Sequence, residues 1–260
     1  MVSIPHPQTH AHPSELARES SLPVISLNLP ARRILLWLLA IAGILVAASV
    51  ATSLLFIILD MPVDNSSLGF LDRFSVDSEQ SFPTYFSAVI LLLVAILSHQ
   101  IARYAARASR REQRYWLALT VIFTLMSFEE IVGFHEGVGA LLRRIQPEAG
   151  QGLTFNQWIF IGIPLVVLVA LVFLPFVRSL PAQTRNLFFL AGAFYVGGSI
   201  GMEMLEGVVM GDVDYGQVGR MIVQHMEELL EKLGVITLIY ALLSHLQQLQ
   251  QPPKPKRAIS

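Results

Sequence analysis

The chain contains no cysteine. Disulfides, thiolate metal sites and cysteine nucleophiles are therefore excluded at once. Charge is scarce as well. Only 14% of the 260 residues are Asp, Glu, Lys or Arg, against about 25% in an ordinary soluble domain. The net charge is −1, so there is no basic excess to suggest a nucleic-acid partner. The first residues lack an apolar stretch of the signal-peptide kind, and no cleaved leader is expected. In the apolar region there is no His-Glu-x-x-His motif and no Gly-x-Ser-x-Gly elbow. The Glu-x-x-His pair of four-helix di-iron proteins is also missing, the nearest match being the reversed His225-x-x-Glu228.

What is present in their place is long apolar runs. Hydrophobic residues make up 53% of the chain and mean hydropathy is +0.57. A helix needs about 20 apolar residues to cross the hydrocarbon core. Six segments meet that length: Ile34–Leu59, Pro83–Ala102, Trp116–Glu136, Trp158–Val177, Asn186–Gly207 and Met221–Leu246. The expected fold is an all-α polytopic membrane helix bundle with six transmembrane helices. Residues 1–31 form a cytoplasmic tail, 32–247 the bundle and 248–260 a second cytoplasmic tail. The tails read as polar and disordered, with a loose metal affinity conceivable only at His6, His10 and His12.

Orientation follows from basic residues near the ends of the spans. With the N-terminus inside, the inner sections hold Arg18, Arg32 and Arg33, then the run Arg103 to Arg114, then Arg178 and Arg185, then Lys254, Lys256 and Arg257. The outer sections hold only Arg73, Arg143, Arg144 and Arg220. Both termini are therefore expected in the cytoplasm. Acids run the other way: only Glu15, Glu19 and Glu112 fall inside.

Glycines in the fifth span, Gly197 and Gly201 among them, read as small-residue packing positions. Pro164 and Pro175 in the fourth read as a kink and a helix end.

The outer ends of three spans carry an unusual load of carboxylates. The third closes Ser127-Phe-Glu129-Glu130-Ile-Val-Gly133-Phe-His135-Glu136. At 100° per residue Glu129, Gly133 and Glu136 share a stripe, flanked by Glu130 and His135. The fifth closes with Glu203 and Glu206, neighbours at i,i+3. The sixth opens with Gln224, His225, Glu227, Glu228, Glu231 and Lys232, of which Gln224, Glu227, Glu228 and Glu231 form one polar stripe. With a rise of about 1.5 Å per residue, all three groups lie roughly 5–15 Å outward of the midplane. An ionised group at such depth costs about 2.5–3.5 kcal/mol on insertion scales, so these side chains are expected to face one another.

Such a layer suits a divalent metal ion: Zn, Mn, Fe, Mg or Ca. The candidate ligands are Glu129, His135, Glu136, Glu203, Glu206, His225, Glu227 and Glu231, with Glu130 or Glu228 as general base. The expectation is an outward-facing, metal-dependent hydrolase or transferase acting on a lipid or lipid-linked substrate in the bilayer. Two alternatives stay open: a protein that binds a cation or a basic partner in an assembly, and a cation- or proton-coupled transporter. Against transport stands an inner half with few polar steps, namely Thr120, Thr124, His99 and Gln100. The structural alternative is that these acids are solvated helix ends, with Glu228–Lys232 an ordinary i,i+4 pair. Asp72, Asp77 and Glu79 precede the Pro-opened second span, as suits a helix N-terminus, and Asn65-Ser66-Ser67 is a sequon.

Several of these motifs also carry a resemblance. Asp77-Ser-Glu79 before Pro83, Ser127-Phe-Glu129-Glu130-x4-His135-Glu136, and Glu227-Glu228-x2-Glu231 with Gly234 together resemble a family of bacterial six-span membrane proteins without an established activity. The likeness covers roughly residues 70–245 and implies a bacterial inner-membrane location.

Overall fold

The computed structural model describes residues 30–59, 69–76, 80–145, 157–211 and 216–251. Asp77, Glu79, the sequon and residues 1–29 and 252–260 of the two tails lie outside the described residues, while Ala31 and residues 248–250 belong to helices. The described chain is helical: α1 Ala31–Ile58, α2 Gly69–Asp72, α3 Phe82–Ala105, α4 Arg110–Val132, α5 Phe134–Ile145, α6 Ile159–Ser179, α7 Ala182–Val196, a π-helical segment Gly197–Met202, α8 Glu203–Gly211 and α9 Gly216–Gln250. Six helices among the described residues are long and apolar enough to cross a membrane. The fifth of these is the continuous stretch Ala182–Val208. The protein is a six-span helical membrane bundle.

Local chemistry explains several helix ends. Ser81 caps α3 by accepting from the Thr84 amide (3.3 Å), and Pro83 sits in the first turn, where its missing N–H costs nothing. Ser109 caps α4 in the same way from the Glu112 amide, and Glu112 at the third position makes this a Ser-x-x-Glu signature. α4 stops at Gly133, whose φ of 63° is left-handed and fits glycine.

That stop corrects the third span. It ends at Val132, not Glu136, and the chain turns into a separate helix, α5. Phe134, Val138, Leu141, Leu142 and Ile145 line one side of α5, and Phe134, Leu141 and Ile145 are exposed. Arg143 and Arg144 stand in its last turn. This is the pattern of a helix lying in a membrane surface. The fourth span is corrected too: Pro175 lies inside α6, which continues to Ser179.

α3 and α9 form the centre of the bundle. Of their apolar stretches 56% and 61% is buried, against 11% for α1 and 17% for α4 and for α6. α9 packs on α1, α3, α7, the π segment and α8. The peripheral helices turn Trp37, Ile44, Leu125 and Leu171 outward, as a lipid-facing surface requires.

The bundle has two unlike ends. At the end where α4 begins and α9 finishes, Trp116 is fully buried between Phe176 (5.1 Å between ring centroids), Phe188 (6.1 Å) and His245 (5.6 Å), and Tyr115 stacks on Phe176. At the other end, where α4 finishes and α9 begins, backbones approach at glycine. A Cβ on Gly198 would stand 2.9 Å from the Glu227 carbonyl, and one on Gly234 would stand 2.8 Å from the Ala191 carbonyl. The glycines at the helix contact are thus Gly198 and Gly234. Nothing lies within 4 Å of a Cβ on Gly197 or Gly201, which the sequence spacing had singled out.

Candidate functional site: an acidic cluster with one buried lysine

The glycine contacts bring α7, the π segment and α9 together beneath the acids. The π segment holds the Gly-rich run Gly197-Gly-Ser-Ile-Gly-Met202 and leads directly into Glu203. Such widened turns recur at functional sites because they shift the helix register and re-aim the side chains that follow. Across the bundle, the buried Ser127 hydroxyl donates to the Ala88 carbonyl (2.8 Å) and fixes the end of α4 against α3. This sets Glu130 beside the Ser87 hydroxyl and within the field of Lys232.

Lys232 is 1% exposed, the only buried Lys or Arg among the described residues. Its ammonium donates to Glu228 Oε2, one turn away. In the structural alternative the pair is an ordinary i,i+4 contact between solvated side chains, and the structure places its lysine in the interior. On the neighbouring residue, the charges of Glu130, Glu227, Glu203 and Glu129 all reach Glu231. Glu203 and Glu206 reach Glu227. The Tyr195 hydroxyl on α7 lies in the same field, reached by Glu231, Glu130, Glu129 and Glu227. Carboxylates from α4, α8 and α9 therefore do share one electrostatic environment.

The predicted residues divide by what they do locally. Glu129 accepts from the His135 amide (3.2 Å) and from His135 Nδ1 (2.6 Å), so it caps the start of α5 across the Gly133 corner. The His135 ring meets Trp158 edge-on at 5.2 Å. Partial burial opposes a charge on His135, but the hydrogen bond and charge of Glu129, with Glu203 and Glu136 behind it, outweigh that and raise its pKa above the usual value. Glu136 is exposed. Glu206 pairs with Arg220 at the start of α9 (3.7 Å).

His225 stands apart from the cluster. Its Nδ1 lies 2.7 Å from the Met221 carbonyl, so Nδ1–H donates there. Nε2 then accepts from the buried Ser49 hydroxyl of α1 (2.9 Å), and Ser49 Oγ accepts from the Val76 amide (3.1 Å). Both ring nitrogens are used in tying α9 to α1.

Among the described residues no three His, Asp or Glu side chains are arranged to hold a metal ion. Three carboxylates, Glu129, Glu206 and Glu228, instead take His135, Arg220 and Lys232 as partners. Glu130, Glu227 and Glu231 form salt bridges with no base among the described residues.

Fold and site together define a class: a six-span helical membrane protein with an acidic cluster at one end of its bundle. Within that class the chain belongs to the family described as Domain of unknown function (DUF8692), whose model matches residues 31–246. The match runs through every helix that builds the cluster. No curated protein and no solved structure matches the chain.

Proposed function

We propose that the acidic end of the bundle is a cation-binding site in which a cation from the adjacent aqueous phase exchanges with protons. The observation that carries this reading is the imbalance at the centre of the cluster. Glu130, Glu227 and Glu231 come from two helices, the first two both reach Glu231, and Lys232, the one buried Lys or Arg among the described residues, reaches Glu130 and is already paired with Glu228. Neutrality in a low-dielectric layer then requires protons or an incoming cation. Lys232 acts as a built-in counter-ion that keeps the layer stable between occupants. With both termini in the cytoplasm, as the distribution of arginines favours, this end faces outward, in a bacterial inner membrane.

A metal-dependent enzyme acting on a lipid-linked substrate is the second reading, favoured by α5. That helix exposes Phe134, Leu141 and Ile145 while His135 at its start touches Glu129. A surface-lying helix so placed would bring a headgroup to the cluster. This reading requires the carboxylates to close around an ion, with Glu130 or Glu228 as base.

The test is equilibrium binding of Ca2+, Mg2+, Mn2+ and Zn2+ to the purified full chain, with proton release followed in weak buffer. Saturable binding with proton release, lost in Glu231→Gln and Glu227→Gln, is expected. Absence of saturable binding for every cation tried would overturn the site. A metal retained through purification and removed only by chelators would move the balance to the enzyme.

A further inference from the structure

The aromatic end holds a buried histidine whose ring packs on Trp116 and whose nitrogens that packing does not use. His245 is 4% exposed and stacked on Trp116, and neither ring nitrogen has a hydrogen-bond partner among the described residues. A buried imidazole always has at least one nitrogen that must donate or accept, and leaving it unmatched is costly. Two further hydroxyls, Ser98 on α3 (0% exposed) and Thr184 on α7 (1%), are likewise without partners. Elsewhere in the spans such groups satisfy themselves: Thr52, Thr120, Thr124 and Ser199 all donate to the carbonyl one turn back. Thr120 and Thr124, two of the four polar steps of the inner half, thus spend their hydroxyl protons on their own helix.

These three residues and the Gln100 side-chain oxygen lie toward one end of the bundle, while at the other end Trp158 Nε1 is the unmatched ring nitrogen. The Gln250 side chain meets the Tyr104 hydroxyl (3.3 Å), which sets α3 and α9 in parallel register and puts Ser98 near the height of His245. Trp116 touches both His245 and Phe188, and Thr184 is one turn from Phe188. Unmatched polar atoms gathered in one place call for ordered water. Among the described residues the charge of Glu112 reaches His245, and Glu112 also accepts from Trp116 Nε1 (3.4 Å) near the start of α4.

His245 is also aligned with the acidic cluster. It lies about five turns beyond Glu227 on α9, hence on the same face. Between them on that face stand Gly234, Leu238 and Ala241, all buried. The bundle thus has a polar station on each side of a dry layer, on a single helix face.

We propose that His245 is a second proton-binding station, which passes protons between the water at the aromatic end and the acidic cluster when the apolar layer between them wets. The inference rests on the cation-exchange reading, and it names the proton as one transported species. The imidazole takes a proton on one nitrogen and releases it from the other, so no other reactant is needed.

The experiment is proton flux into liposomes holding the purified full chain, followed with an enclosed pH dye under a potassium diffusion potential. His245→Phe keeps the ring stacked on Trp116 but cannot carry a proton. Flux in the unaltered protein above that of empty liposomes, falling roughly 100-fold in His245→Phe while divalent-cation binding at the acidic end persists, is the expected result. Undiminished flux in His245→Phe, or no flux from the unaltered protein, overturns the second station. Either result leaves the acidic site standing if cation binding is retained, and loss of that binding is what removes the underlying reading. Should His245→Phe not fold, 15N spectra of the unaltered protein decide: a His245 ring that responds to the pH at the aromatic end supports the station, and one that does not respond overturns it.

Discussion

The two ends of the bundle are built from the same helices by opposite means. At the aromatic end α4, α6, α7 and α9 are held apart and locked by rings, with Tyr115 stacked 4.8 Å from Phe176 and Trp116 enclosed by rings from three other helices. At the acidic end Gly198 and Gly234 remove side chains from the contact, and backbones meet directly. In lipid there is no hydrophobic force between helices, so close packing and polar contacts must supply the association. The acidic end does so with glycine contacts, the Ser127–Ala88 bond and a buried Lys–Glu pair.

The contrast predicts unequal costs for small changes. The largest is expected for Lys232→Met, which strands Glu228 and Glu130 without their ammonium. Breaking a buried pair from one side costs about 3 kcal/mol, read as a lower thermal midpoint in detergent. Adding Glu228→Gln should recover much of the loss. An unchanged midpoint in Lys232→Met would mean that the pair is solvated like one on a surface. Next come Gly198→Ala and Gly234→Ala, at about 1–3 kcal/mol for overpacking, while Gly197→Ala and Gly201→Ala stay near zero. Equal effects at all four positions would erase the proposed helix contact. Smaller again is Ser49→Ala, at about 1–2 kcal/mol for the hydrogen bonds lost by His225 and Val76, with cation binding unaffected.

The gentlest effect is a pH dependence. Because the folded pKa of His135 is raised, its pairing with Glu129 contributes fully below about pH 6.5, the usual histidine value, and is lost as pH rises through the raised pKa. Amide exchange at the start of α5 should therefore quicken on the alkaline side of that window. The change should be absent in His135→Gln.

The six spans were legible because hydropathy over about 20 residues is a coarse signal that single residues barely disturb. The corrections all come from finer physics. The stop at Gly133 depends on one left-handed φ inside an unbroken apolar and acidic pattern, which periodicity does not register. Gly197 and Gly198 are equally small, and only the crossing of α9 decides which one matters. The convergence of Glu129, Glu130, Glu203, Glu227 and Glu231 was readable from helix depth. The role of Lys232 was not, since an i,i+4 partner on the same helix looks alike buried or exposed. His245 could have been found by extending the α9 stripe a further five turns from Glu227.

Topology can be checked in the same cysteine-free background. A cysteine placed at Gly137 should react with an impermeant maleimide added to intact cells, and one placed at Ser109 should not. The reverse pattern would place the acidic end in the cytoplasm.

Chemical cross-linking between α4 and α9 reaches the heart of the account. Cysteines introduced by Glu130→Cys and Glu231→Cys, treated with a short bifunctional thiol reagent, should join in high yield, whereas Glu130→Cys with Ile222→Cys should not. If each cysteine labels readily alone but the first pair never joins, the carboxylates do not share a site, and the cation-binding reading is contradicted.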